Sequence, residues 1–249
     1  MIDLHCHILW GMDDGATSLE ESVAMARMAA EGGMEIVAAT PHCNIVDDDP
    51  LLRCRVIREK VKELNRTLQE RKIPLRIVPG MELYVRENLD DILEKKAVLP
   101  LNDSRYLLAE FDFSQSADFM ADSLRKIHKA GYIPVLAHPE RYEAVQRDEN
   151  FIPFCFRQGT VIQVNKESVL GKFGKAPKMA ADRILSRGLA HIVASDAHGT
   201  RSRTPGMGDA MDFLVDHYSE GYAAVLLGWN PARILENKPV VKPESELMR

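Results

Sequence analysis

The chain has 249 residues, 45% of them hydrophobic, with a formal net charge of −5, which is enough apolar material for one sizeable core and within the usual range of a single α/β barrel domain. Its 32 basic residues are scattered rather than striped, excluding a basic nucleic-acid footprint, and no apolar run approaches the roughly 20 residues that cross a bilayer. The start Met1-Ile2-Asp3-Leu4-His5 lacks the basic opening and apolar stretch of a secretory signal peptide, so a cytoplasmic location is expected.

Apolar runs bounded by turn residues predict a first strand at 1–4. A helix follows, with Ser18 as cap, Glu21 completing a capping box and the Gly32-Gly33 pair ending it. Further strands are predicted at 35–39, 75–79, 106–109, 133–137, 160–164 and 191–194, and further helices at 51–71, 119–130, 176–187, 210–217 and 231–235. Asp47-Asp48-Asp49 reads as a solvated helix-capping loop, and the Lys-Pro-Glu-rich tail after Asn237 as frayed. Strands alternating with helices imply a parallel sheet, and repeated single-handed crossovers close it into a distorted (β/α)7 TIM-like barrel. No Gly-, Ser- or Pro-rich linker divides the chain, so residues 1–249 read as one domain.

The titratable side chains fall at the ends of these strands. His5 and His7 close the first, His42 follows the second, Glu82 the third, Glu110 ends the fourth, His138 the fifth, and Asp196 and His198 the last. Parallel strands present their C-terminal ends on one barrel face, so these side chains, with Asp14 from the first loop, can converge there. Residues i and i+2 of a strand point the same way, which pairs His5 with His7 and Asp196 with His198 and turns Cys6 away from both. A single histidine at a strand end is at least as often a hydrogen-bonded structural residue as a ligand. Nine candidates together exceed what one ion takes and suit two or three divalent ions, with the mixed N/O set favouring Mn, Fe or Zn over Mg or Ca. His128, His191 and His217 have no such placement and read as surface or core residues, and Cys6, Cys43, Cys54 and Cys155 as reduced thiols. No cysteine has an arginine six positions later, so the thiolate phosphatase loop is absent, and Gly171-Lys172-Phe173-Gly174-Lys175 lacks the residues of a Walker loop.

Five segments, Asp3-Leu4-His5-Cys6-His7-Ile8-Leu9, Gly11-Met12-Asp13-Asp14-Gly15, Ala39-Thr40-Pro41-His42, Ala137-His138-Pro139-Glu140-Arg141 and Ser195-Asp196-Ala197-His198, resemble the PHP-superfamily metallophosphoesterases. Gly-x-Asp-Asp-Gly and His-Pro-Glu-Arg are similar to the manganese-dependent protein-tyrosine phosphatases of bacterial capsule and exopolysaccharide operons. The resemblance spans residues 1 to about 205.

It implies a trinuclear, Mn-preferring site. One ion takes His5, His7, Glu82 and Asp196; a second shares Glu82 and takes Glu110 and His138; the third takes Asp14, His42 and His198. It also implies that Arg141 and Arg203 hold the phosphate, with Arg201 the alternative to Arg203 because the segment around them departs from the family wording. Trp10 stands where these phosphatases commonly have Pro, which can reshape the entrance. The implied reaction is hydrolysis of phosphotyrosine on protein, with a bacterial tyrosine kinase tail as partner, by attack of metal-bound hydroxide without a covalent intermediate. A histidinol-phosphate-type small-molecule phosphatase is the alternative within the superfamily, and a non-catalytic metal-stabilised scaffold the alternative outside enzymes.

Overall fold

The structure is a computed structural model and describes residues 1–43 and 49–242. Its strands are β1 (Ile2–Cys6), β2 (Ile36–Ala39), β3 (His42–Cys43), β4 (Arg76–Pro79), β5 (Glu82–Tyr84), β6 (Tyr106–Glu110), β7 (Ile133–Leu136), β8 (Val161–Asn165) and β9 (Ile192–Ala194). Helices α1 (Leu19–Glu31), α2 (Pro50–Glu70), α3 (Leu89–Glu94), α4 (Ala117–Lys129), α5 (Glu143–Arg147), α6 (Phe151–Arg157), α7 (Lys166–Val169), α8 (Lys175–Ser186), α9 (Gly208–His217), α10 (Glu220–Ala224) and α11 (Asn230–Leu235) lie between and after them.

The strands pair in the orders β1-β2-β4 and β3-β5-β6-β7-β8-β9, every pair parallel. A bridge between Cys6 and Ala197, with His7 N–H donating to Ala197 O (2.9 Å) and Asp196 N–H to His5 O (2.8 Å), brings the end of β9 back beside β1. The result is a mixed α/β fold around a curled parallel sheet.

Where the sequence predicts seven strands, the second and third are each followed by an extra short one. Ala39 pairs with Pro79, and three residues later on both sides of the ladder His42 pairs with Glu82. Pro41 has no N–H to continue the ladder, and at Gly80 a Cβ would meet Leu101 Cδ2 at 2.9 Å and Thr40 Cγ2 at 3.2 Å. The two breaks let β3 and β5 join a different sheet from β2 and β4.

The long helices stand within about two residues of their expected bounds. α3, α5, α6, α7 and α10 are too short to show a helical period and were not anticipated. The box at α1 closes differently from the expectation: Ser18 Oγ accepts from Glu21 N–H (3.2 Å), but Glu21 Oε2 accepts from the N–H and hydroxyl of Thr17 (2.9 and 2.7 Å), not from Ser18 N–H. Asp49 caps α2 through the N–H groups of Leu51 and Leu52; Asp47 and Asp48 lie outside the described residues. The tail is a second correction, since its described part is docked. Tyr106 Oη donates to Lys238 O (2.7 Å), and Asn230 exchanges two hydrogen bonds with Val241 (2.9 and 2.8 Å).

Both faces of the sheet are buried, as a parallel sheet requires. Leu4, Ala38, Val78, Tyr106, Leu108, Val135, Ala137, Val161 and Ile192 form an inner cluster that also takes in Ile234 of α11. Leu107, Ile162 and Val193 face the other way, in the cluster that holds Met25, Ala29, Leu64 and Leu185 of the helices. The pleat then does the positioning. Stepping by two along the inner face leads from Tyr106 and Leu108 to Glu110, from Val78 past Gly80 to Glu82, from Val161 to Gln163 and Asn165, and from Ile192 past Ala194 to Asp196. Apolar residues fill one end of the interior and polar ones arrive together at the other.

Candidate metal centre

Among the described residues, four groups of donor atoms, each with all its atoms within 4.8 Å of one another, form at that polar end: His7, Asp14, His42 and His198; His5, His7 and Asp196; His5, Glu82 and His138; and His42, Glu82 and Glu110. All nine residues singled out in the sequence as donors are among them. Glu82 is central. Its carboxylate oxygens lie 3.1 Å from His5 Nε2, 3.4 Å from His7 Nε2, 2.8 Å from His42 Nδ1 and 3.1 Å from His138 Nε2. Glu110 stands 3.4 Å from His42 and 3.5 Å from His138, while Asp14, on the exposed side, stands 3.5 Å from His42 and 3.4 Å from His198. Glu82, His5 and His7 are fully buried, whereas the Asp14 side chain is 69% exposed.

The donor atoms fit divalent ions better than they fit one another. His5 Nδ1 donates to Gln163 Oε1 (2.9 Å), His7 Nδ1 to Asp13 Oδ2 (2.7 Å) and His198 Nδ1 to the carbonyl of Asp196 (2.9 Å). Each bond fixes the proton on Nδ1 and leaves the Nε2 lone pair facing the cluster, as a ligating histidine requires. His5 Nε2 and His7 Nε2 then face each other at 3.2 Å, an arrangement of two lone pairs that a shared cation relieves. Glu82 Oε2, His42 Nδ1 and His198 Nε2 are buried without a hydrogen bond of acceptable geometry, a costly state for polar atoms unless something else occupies their lone pairs.

Charge is concentrated accordingly. Burial works against ionising Glu82 and Asp196, but the neighbouring His5, the other histidines and, for Asp196, Arg203 hold both carboxyls well below the usual range. Burial likewise opposes Asp13, yet His7 and the amides of Gly15 and His42 bring it down to about 2. His198 is pushed down to about 4 by burial and by the charge of His7.

Backbone strain marks the same place. His138, Asp196 and Arg203 have φ of 32°, 50° and 49°, a left-handed conformation that non-glycine residues adopt at a cost of roughly 1 kcal/mol or more. At β7 and β9 it turns the side chain at the strand end back over the cluster. Gly15 serves the first loop differently: a Cβ there would lie 2.2 Å from His7 O, so only glycine lets the loop close over the first strand.

The two candidate arginines separate from the third. Arg141 Nη1 lies 3.6 Å from Asp196 Oδ2, and Arg203 pairs with the same oxygen. Arg201 is exposed, and its charge bears on Glu21 of α1. Trp10 is held from α2. Lys60 of α2 lies 4.1 Å above its ring and donates to its carbonyl (3.0 Å), pinning it to α2. His191 is buried and accepts from Ile162 N–H at Nδ1 (3.0 Å), whereas His217 is on the surface and His128 half-buried. None of the four cysteines forms a disulfide among the described residues, and Cys6 and Cys43 pack in the outer core.

Several residues that shape the site were not singled out from the sequence. Asp13 holds His7 and the N–H of His42 (2.8 Å) on one oxygen. Gln163 holds His5, and Asn165 donates to Asp196 Oδ2 (2.6 Å) while its own N–H donates to the buried Glu140 (3.0 Å). Asp3 accepts from the N–H and hydroxyl of Ser195 (3.1 and 2.5 Å), fixing the turn into Asp196. Gln163 and Asn165 carried a signal, lying in step with the apolar inner face of β8. Asp13 stands in the Gly-x-Asp-Asp-Gly segment, where the donor role is assigned to its neighbour Asp14.

Residues 1–236 match the family described as capsular polysaccharide synthesis, CpsB/CapC. Tyrosine-protein phosphatase YwqE of Bacillus subtilis is 37% identical over 205 residues, covering 82% of this chain and 79% of that protein. Tyrosine-protein phosphatase CpsB of Streptococcus pneumoniae is 34% identical, covering 94% of this chain and 98% of its own. A crystal structure from work on these two proteins, described as unique metal-dependent tyrosine phosphatases, superposes with a TM-score of 0.89 at 33% identity and covers 98% of this chain and 97% of the other. The lactonase Lmo2620 of Listeria monocytogenes, 10% identical with a TM-score of 0.63 over 98% of this chain and 95% of its own, shares the fold alone.

Proposed function

This chain belongs to the capsular polysaccharide synthesis family CpsB/CapC, and we propose that it is a metal-dependent protein-tyrosine phosphatase. The observation that carries the reading is the convergence on Glu82 of His5, His7, His42 and His138 from separate strands, with Arg141 and Arg203 meeting at Asp196 beside them. We read the curled sheet as a distorted (β/α)7 TIM-like barrel forming one domain, with this cluster on the C-terminal face of its strands.

His5, His7, Asp14, His42, Glu82, Glu110, His138, Asp196 and His198 would hold two or three divalent ions, Mn first among them. Such ions supply Lewis acidity and lower the pKa of water from about 15.7 to about 7. The chain's part is to hold the phosphoryl group still. The guanidinium edges of Arg141 and Arg203 present donors to its oxygens, a match of planar fork to phosphate that a lysine would not give. The depth of the cluster keeps bulk water from screening those charges. Phenolate is a good leaving group, so no side chain need donate a proton to it. The substrate is the phosphotyrosine tail of a bacterial tyrosine kinase in the cytoplasm, acting in capsule or exopolysaccharide synthesis.

Mn-loaded full-length protein should release phosphate from phosphotyrosine peptides of such a tail, lose that activity in chelator, and leave histidinol phosphate largely untouched. Turnover of histidinol phosphate with phosphotyrosine peptides left intact would reject the assignment.

A further inference from the structure

Phe113 lies in the loop between β6 and α4, three residues beyond Glu110, and has no role in the chemistry above. Its position is set by the backbone. Glu143 N–H donates to Phe113 O (2.9 Å), Asp112 Oδ1 accepts from Ser114 N–H (2.9 Å), and the Tyr142 hydroxyl accepts from Phe111 N–H (3.1 Å). The side chain is thus held at the rim without being buried, 40% exposed. Its ring packs on Arg141, whose Cζ lies 4.3 Å from the ring centroid, and the same guanidinium carbon lies 4.6 Å from the ring centroid of Phe173. The ring also stands 6.1 Å from that of His138.

With two aromatic rings packed on its guanidinium, Arg141 keeps its N–H edge for polar contacts, and Nη1 on that edge lies 3.6 Å from Asp196 Oδ2. Phe113 borders both the arginine and the cluster, so a phosphoryl group held on that edge would have the ring beside it. The groove of about 690 Å³ lined by Tyr84, Arg86, Asn88, Asp112, Gln115 and Phe119 begins at the neighbouring residue, so a chain attached to the ester group has a path away from the rim.

We propose that the free part of the Phe113 ring is the wall of an aryl subsite, a specificity-determining contact that favours phosphate esters of phenols over those of alcohols. The inference rests on the phosphatase reading for its phosphate site. The aromatic character of the ester group is then recognised by ring-on-ring contact, whose edge-to-face or offset geometry adds to the area it buries.

The test uses non-hydrolysable probes, so it does not depend on turnover. Calorimetric titration of Mn-loaded full-length protein should give tighter binding of phenylphosphonate than of methylphosphonate, by up to roughly tenfold. Phe113→Leu should erase most of that difference while inorganic phosphate binds as before, and Phe113→Trp should restore it. Equal affinity for the two phosphonates in the unaltered protein would overturn the proposal. So would a Phe113→Leu variant that weakens phenylphosphonate, methylphosphonate and phosphate by the same factor, since the ring would then act only by holding Arg141. A phenyl preference lost in Phe113→Leu, together with phosphotyrosine peptides left intact, would leave the subsite standing and reject the proposed substrate instead.

Discussion

At the scale of single residues, Asp13 deserves the same standing as the donors it serves. One of its oxygens accepts from both the His7 ring and the His42 backbone, and the other from Gly15 N–H. Removing it frees the His7 ring to change tautomer or rotate. Asp13→Ala should therefore weaken Mn binding by roughly 10- to 100-fold with far-UV circular dichroism unchanged, and calorimetric titration with Mn checks it; unaltered affinity would show that His7 is held by packing alone. His191 makes the complementary point for a histidine outside the site. Burial, and then the charge of Lys242, push it down to about 4, and its Nδ1 lone pair accepts from Ile162 N–H. An unfolded chain takes up that proton near pH 6.5. The His191 contribution is therefore intact above about pH 6.5 and is lost progressively as pH falls toward 4, by about 3 kcal/mol in all. Urea unfolding of chelator-treated protein between pH 7 and pH 4 should show a smaller loss in His191→Gln than in the unaltered chain, and parallel curves would reject the assignment.

At the scale of elements, α11 closes the apolar end of the sheet interior. Ile234 is fully buried in the inner cluster with Leu4, Tyr106 and Val135, far along the strands from the donors. Ile234→Ala should cost about 2–5 kcal/mol, lowering the melting temperature while Mn stoichiometry stays as it was; lost metal at unchanged stability would mean that the two ends are coupled. The same division explains what the sequence discloses. A strand ending in His or Glu after an apolar run is legible because the period-two pleat and the parallel arrangement put such ends on one rim. His42 and Glu82 were thus placed correctly relative to the others although β3 and β5 themselves were missed. Those strands are two and three residues long, and the Gly80 break before β5 depends on contacts with Thr40 and Leu101 from other elements. Asp13 against Asp14 is a choice that one residue of loop geometry decides, and no periodicity records loop geometry. The described part of the tail departs from expectation for a similar reason: its polar composition describes its side chains, whereas its docking uses the backbone of Lys238 and Val241.

At the scale of the whole molecule, the proposed ions would join residues from His5 to His198, so their removal should test how far the fold depends on the site. Two features argue that the fold persists. The apolar clusters on the two faces of the sheet contain none of the nine donors. In addition, the buried carboxylates have partners of their own, since Glu82 and Asp196 face histidines and Arg203 that can neutralise them. Stripping the metal exchanges one compensation for another instead of leaving bare buried charge. What is lost is the binding free energy, about 2.7 kcal/mol for each ion when free Mn stands 100-fold above its dissociation constant. For a chain of this length that corresponds to a melting temperature lower by roughly 5–10 °C. Scanning calorimetry with and without chelator should show that fall, reversed by added Mn, with far-UV circular dichroism at 25 °C the same in both states. An unmoved transition would deny the site its ions, and a loss of secondary structure on chelation would mean that the parallel sheet cannot close without them.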